Sequence, residues 1–183
     1  MIPILLAFLA VGVHSHPTGF PLSWLTPPTP DPIESATCEP YSTCLKINHI
    51  PTRYASHKSV LDLGSSVIKN DIALLKMCDK QSVCKVRARH QIILEKLYLG
   101  SEAFKHFTTK SNKCWTIALF DMMNCYSKKY DPFQPCMTEK MSKSAVCTKE
   151  ETANILKYGQ HYVDGLGYIS EAIESIGGNW DLV

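Results

Sequence analysis

The stretch that decides the fold is KCWTIALFDMMNC, which runs from Lys113 to Cys125. It is mostly apolar and contains neither proline nor glycine, which predicts a largely buried helix over residues 113 to 126. On such a helix Cys114 and Cys125 would share one face but stand roughly 16 Å apart along the axis. A disulfide needs Cα atoms within about 7 Å, so these two cysteines must reach partners on a neighbouring element.

The whole chain contains eight cysteines, and the other six are Cys38, Cys44, Cys78, Cys84, Cys136 and Cys147. An even number in a chain that begins like a secreted protein predicts four disulfides, with about 105 pairings open. A helix across Cys78 and Cys84 would keep those two apart. Cys38 and Cys44 flank Pro40 in an irregular stretch, which leaves room for a short local loop. Zinc is the alternative for clustered cysteines, but the sequence has no Cys-x2-Cys and no histidine pair at i, i+4. We therefore expect no metal and no cofactor.

Apolar periodicity predicts helices on both sides of this stretch. They cover residues 56–78, 82–99 with a continuation over 101–108, 136–146, and a last helix that starts at Thr148. Gly100 is a natural stop, Gly165 a place for a break, and Gly177 and Gly178 the end. Thr148 and Glu151 match a capping box. The predicted fold is all-α, a disulfide-stapled bundle of four to five helices.

The start of the chain predicts export. Residues 1–15 resemble a signal peptide, with an apolar run too short to cross a bilayer, and we expect cleavage after Ser15. Residues 16–35 form a proline-rich arm, and residues 36–183 form the cysteine-rich helical domain. Phe20, Trp24 and Leu25 are unusually apolar for such an arm, so they either clamp it onto the domain or contact a partner. No other segment is apolar enough for a transmembrane helix.

Composition and motifs argue against several functions. The formal net charge of +2 is too small to attract nucleic acid. Neither the serine-hydrolase motif Gly-x-Ser-x-Gly nor the zinc-protease motif His-Glu-x-x-His occurs, so we expect no enzyme. His106 and His161 are the residues on which an unrecognised catalytic site would depend. The basic residues Lys80, Lys85, Arg87, Arg89 and His90 do not share one helical face, which favours a solvated surface over a binding patch.

Methionine and aromatic residues cluster in the second half of the chain. They could line a cavity for a small apolar ligand or fill a core. The candidate lining residues are Trp115, Phe120, Met122, Met123, Met137 and Met141.

The stretch LKMCDKQSVC (Leu75–Cys84), the four later cysteines and the segment CTKEE (Cys147–Glu151) resemble a family. It is a nematode-expanded family of small, secreted, cysteine-rich helical domains of unknown function. The resemblance lies in cysteine order over about residues 38 to 160. It implies the fold and secretion, and it carries no activity.

These observations predict a secreted, extracellular, non-enzymatic binding protein that acts on an extracellular protein partner. The first alternative is a carrier of a lipid or another small apolar ligand. The second is an enzyme with an unrecognised site.

Overall fold

Helices joined by short connections build the chain, and no strand occurs in the ranges that the structure describes: 32–80, 84–110, 112–127 and 132–178. In this computed structural model the helices are α1 (Pro32–Ile47), α2 (Ile50–Arg53), α3 (His57–Leu61), α4 (Ser65–Asp79), α5 (Val86–Thr109), α6 (Lys113–Ser127), α7 (Phe133–Ser142), α8 (Lys149–Gly167) and α9 (Ile169–Ser175). The disulfides are Cys38–Cys84, Cys44–Cys78, Cys114–Cys147 and Cys125–Cys136. The predicted all-α, disulfide-stapled fold is confirmed.

The predictions for the N-terminal region mostly lie outside the described residues. These are the signal peptide over 1–15, the arm over 16–31 and its side chains Phe20, Trp24 and Leu25. The last part of the predicted arm, residues 32–35, already belongs to α1. Proline is well suited to the first turn of a helix, because the amide it lacks would have no partner there, so Pro32 starts α1. Within the described ranges, no helix is both long and apolar enough to cross a membrane.

Helix α1 corrects the prediction of an irregular stretch with a local loop. Pro40 lies inside the helix, although a proline there removes one backbone hydrogen bond. Cys38 bonds to Cys84 and Cys44 bonds to Cys78. The tertiary contacts of α1 therefore outweigh the local cost of Pro40.

The single helical pattern predicted over residues 56–78 is two helices in the structure. Ser56 caps α3 by accepting a hydrogen bond from the Ser59 amide at 3.1 Å. The helix ends at Leu61, and Gly64 then precedes α4 in an extended conformation. The break lets Val60 of α3 and Ile68 of α4 both reach the core.

Helix α5 is the longest element and packs closely on α8. Gly100 does not stop it. The last helix does break near Gly165, as predicted, because α8 ends at Gly167 and α9 begins at Ile169 after Tyr168. A Cβ on Gly100 would lie 2.9 Å from the Cα of Gly165 and 3.3 Å from the carbonyl oxygen of His161. These two glycines bring the backbones together, which is why Gly100 does not act as a helix terminator.

Helices α6 and α7 complete the second half of the fold. Cys114 and Cys125 do not bond to each other, as predicted. Cys125 bonds to Cys136 of α7, whereas Cys114 bonds to Cys147 in the connection between α7 and α8. The helix predicted over 136–146 starts earlier, at Phe133, and ends at Ser142. The capping box of α8 is confirmed: the Glu151 amide donates to Thr148 Oγ1 at 3.1 Å, and the Thr148 amide donates to Glu151 Oε2 at 2.9 Å.

Candidate functional site

A surface groove opens between α1 and α4, with a volume of about 580 Å³. We call it the α1–α4 groove. Its lining residues are Glu39, Pro40, Thr43, Cys44, Ile47, Asn48 and Met77.

The Cys44–Cys78 disulfide holds the two walls of the groove together. Its Cα atoms are 5.6 Å apart, which fixes the spacing of the helices at this point. On α1, Tyr41 and Leu45 are fully buried. Because successive residues turn by about 100° around a helix, Ile47 faces away from that buried pair.

Two large apolar side chains at the groove are exposed to solvent. Ile47 of α1 is 71% exposed and Met77 of α4 is 45% exposed. Leaving apolar area in water forgoes about 25 cal/mol per Å². A single exposed apolar residue is ordinary on a protein surface. The feature of this groove is that two such residues line it together.

An ion pair between partly buried Arg53 and buried Asp71 contacts the groove residue Asn48. Arg53 donates to both carboxylate oxygens of Asp71, from Nε at 2.9 Å and from Nη2 at 2.5 Å. Tyr54 donates a third hydrogen bond to Asp71 at 3.0 Å. Burial and then the neighbouring Asp71 carboxylate raise the pKa of Tyr54 well above its usual value. Arg53 also donates to the carbonyl of Asn48 at 3.0 Å, so this pair fixes the backbone of a groove residue.

A second buried polar contact lies on the inner side of α1. The hydroxyl of Tyr41 hydrogen-bonds His90 Nδ1 at 3.0 Å, and His90 is 1% exposed. Burial lowers the pKa of His90 to about 4. This histidine is therefore neutral near pH 7 and acts as a packed hydrogen-bonding group.

The basic residues of the α4–α5 region do not form one patch. Arg87 pairs with Asp79 at 2.8 Å, and Arg89 forms an ion pair with Glu171 of α9. His90 is buried, and Lys80 and Lys85 are exposed. The side chains thus spread around the helix axis, as their spacing predicts.

The residues proposed to line an apolar cavity are divided by the structure. Trp115, Met122, Met137 and Met141 are buried, and Met123 is partly buried. Phe120 is 59% exposed and lies on the face of α6 opposite to Trp115 and Met122. The buried members pack as a core, and Phe120 does not share a cavity with them.

The two histidines considered for catalysis lie on different helices and are both partly buried. His106 stacks on Tyr158 with ring centroids 4.1 Å apart. His161 lies on α8, where its carbonyl approaches Gly100. In the ranges that the structure covers, no group of three or more His, Cys, Asp and Glu side chains is placed to hold a metal ion.

Ile47 and Met77 were not predicted from the sequence as candidate functional residues. A signal was present for each, since Ile47 is out of phase with the buried stripe of Tyr41 and Leu45. Met77 likewise lies on the exposed side of α4, away from the buried stripe that contains Ile68, Leu75 and Cys78. The pairing of Cys44 with Cys78, which brings the two together, has no signal in one sequence.

Comparison with known proteins gives no assignment: no family model, no curated protein and no solved structure matches the chain.

Proposed function

We propose that this protein is a secreted, non-enzymatic interaction protein that binds an extracellular protein partner through the α1–α4 groove. The observation that carries the proposal is the exposure of Ile47 and Met77 in one groove whose two walls are joined by a disulfide. A rigid scaffold needs little backbone ordering on binding, so the burial of its apolar side chains contributes more of its free energy to affinity.

The disulfides support the extracellular part of the proposal. All eight cysteines are paired, and structural disulfides persist mainly in oxidising compartments. The predicted signal peptide and the resemblance to secreted nematode domains point in the same direction, and both stay predictions.

A carrier of a small apolar ligand is the second candidate. The observation that favours it is the groove volume of about 580 Å³, which falls within the usual range for small-molecule sites, about 300–1,000 Å³. The core of the second half is an alternative location for such a ligand, but the ligand could enter it only if that core opens. Its buried residues are Trp115, Met122, Met137 and Met141.

The test starts with the full chain expressed in eukaryotic cells and recovered from the medium. It is then screened against arrayed extracellular proteins from the organism that makes it. We expect a partner whose affinity falls at least about tenfold in Ile47→Asp and Met77→Asp, because a buried charge replaces an apolar anchor. Ile92→Asp is the matched control, since Ile92 is 43% exposed but lies on α5.

Two results would count against this function. A partner that binds both groove variants as well as wild type would exclude the groove as the binding site. A stoichiometric small apolar molecule, seen by native mass spectrometry and lost from Met77→Asp, would favour the carrier instead.

A further inference from the structure

The exposed side of α4 carries a row of lysines next to the groove. Lys69, Lys76 and Lys80 are all exposed, and their spacing of seven and four residues places them on one side of the helix. They extend over roughly 16 Å of helix axis. We call them the α4 lysine row.

The lysine row has no ion-pair partner within the part of the chain that the structure describes. The two acidic residues of α4 are already paired: Asp71 is buried against Arg53, and Asp79 contacts Arg87. The α4 lysine row therefore places three positive charges along one side of a single helix, although the net charge of the whole chain is only +2.

The apolar groove begins beside this row. Met77 follows Lys76 directly and lies one turn before Lys80 on the exposed face of α4. Across the groove, Ile47 supplies the second apolar group. Glu39 of α1 is the one charged residue among the described groove lining, and the α4 lysine row supplies positive charge beside the opposite wall.

We propose that the partner binds through an acidic segment with an apolar side chain, which fills the groove while its carboxylates meet the α4 lysine row. This inference rests on the proposed function and names the chemistry of its partner. Charge complementarity decides between occupants. A polyanionic glycan would satisfy the lysines but has no apolar side chain for Ile47 and Met77, whereas an acidic peptide satisfies both.

The probe is a random peptide library displayed on phage and selected on the wild-type protein. We expect enriched peptides to combine Asp or Glu with a large apolar residue. The triple variant Lys69→Gln, Lys76→Gln, Lys80→Gln should weaken their binding by about tenfold or more, since exposed ion pairs contribute up to about fivefold each. Binding should also weaken as salt rises, because such pairs are screened. Glu39→Gln should leave the affinity unchanged or raise it.

Matched controls remove the same number of charges elsewhere. Lys105, Lys149 and Lys157 are exposed on α5 and α8, and their triple change to Gln should leave peptide binding within about twofold. All these positions are on the surface, so the variants should fold like wild type.

The outcomes separate this inference from the proposed function. Peptides that lose affinity in Met77→Asp but not in the lysine triple variant would overturn the acidic partner and keep the groove. Failure to enrich any groove-dependent peptide would overturn both. Lysine-dependent binding of heparin or of phosphatidylserine vesicles, without peptide binding, would replace the peptide with a polyanion or an anionic membrane.

Discussion

Replacing Gly100 with alanine tests the close crossing of α5 and α8. In an exposed helix interior, Gly→Ala stabilises by up to about 1 kcal/mol, because alanine has the higher helix propensity. At Gly100 the new Cβ would lie 2.9 Å from the Cα of Gly165, whereas carbon atoms in contact normally stand about 3.5–4.0 Å apart. The atom in the way is backbone, so the helices themselves must separate.

Overpacking of this kind costs about 1–3 kcal/mol, which outweighs the gain in helix propensity. We expect Gly100→Ala to lower the free energy of unfolding by about 1–2 kcal/mol. For a domain of this size that corresponds to a fall in Tm of about 2–8 °C. Urea and thermal unfolding with intact disulfides, followed by circular dichroism, would measure both quantities.

Gly167→Ala is the matched control in the partner helix. A Cβ there meets nothing within 4 Å, so we expect a gain of up to about 1 kcal/mol. If Gly100→Ala lowers the free energy of unfolding and Gly167→Ala raises it, the close contact with Gly165, and not helix propensity, determines the loss of stability at Gly100. A Gly100→Ala protein as stable as wild type would refute the reasoning.

Three further substitutions test the buried polar contacts and the helix cap. Asp71→Ala should cost about 2–3 kcal/mol in urea unfolding, because it leaves the partly buried Arg53 without its partner; no loss would mean that the ion pair is dispensable. His90 has a folded pKa of about 4 against about 6.5 unfolded. The unfolded state therefore binds a proton at this histidine more readily than the folded state does. The free energy of unfolding is highest above pH 6.5 and falls by about 3 kcal/mol on acidification to pH 4. His90→Gln should flatten the stability profile in that window, and an unchanged profile would contradict the assignment. Thr148→Ala should cost about 1 kcal/mol by removing the cap of α8, and the smaller effect of Glu151→Gln, which can still form a capping box, provides the comparison.

The parts of the fold that were predictable are those fixed by local sequence. The Thr148 cap determines where α8 starts, and the spacing of Ile155 and Tyr162 determines which face it buries. The positions of Cys114 and Cys125 on one helix determine that they cannot pair, because helix geometry alone sets their separation.

The parts that were not predictable depend on contacts between distant residues. Gly100 resembles a helix stop until Gly165 is placed against it. Pro40 resembles a helix break until disulfides fix α1 on both sides of it. The groove depends on the Cys44–Cys78 pairing, so its two apolar residues could be recognised only once the structure brought them together.

The order of the disulfides along the chain has a consequence for synthesis and cleavage. The Cys38–Cys84 bond encloses Cys44–Cys78, the Cys114–Cys147 bond encloses Cys125–Cys136, and neither set crosses the other. A chain that emerges amino-terminus first can therefore close its first set before any cysteine of the second has appeared, which removes most mispaired products. Conversely, one proteolytic cut between Cys84 and Cys114 leaves two fragments with no covalent link. Non-covalent packing, such as that of α5 against α8 and of α9 against α3, then keeps them together.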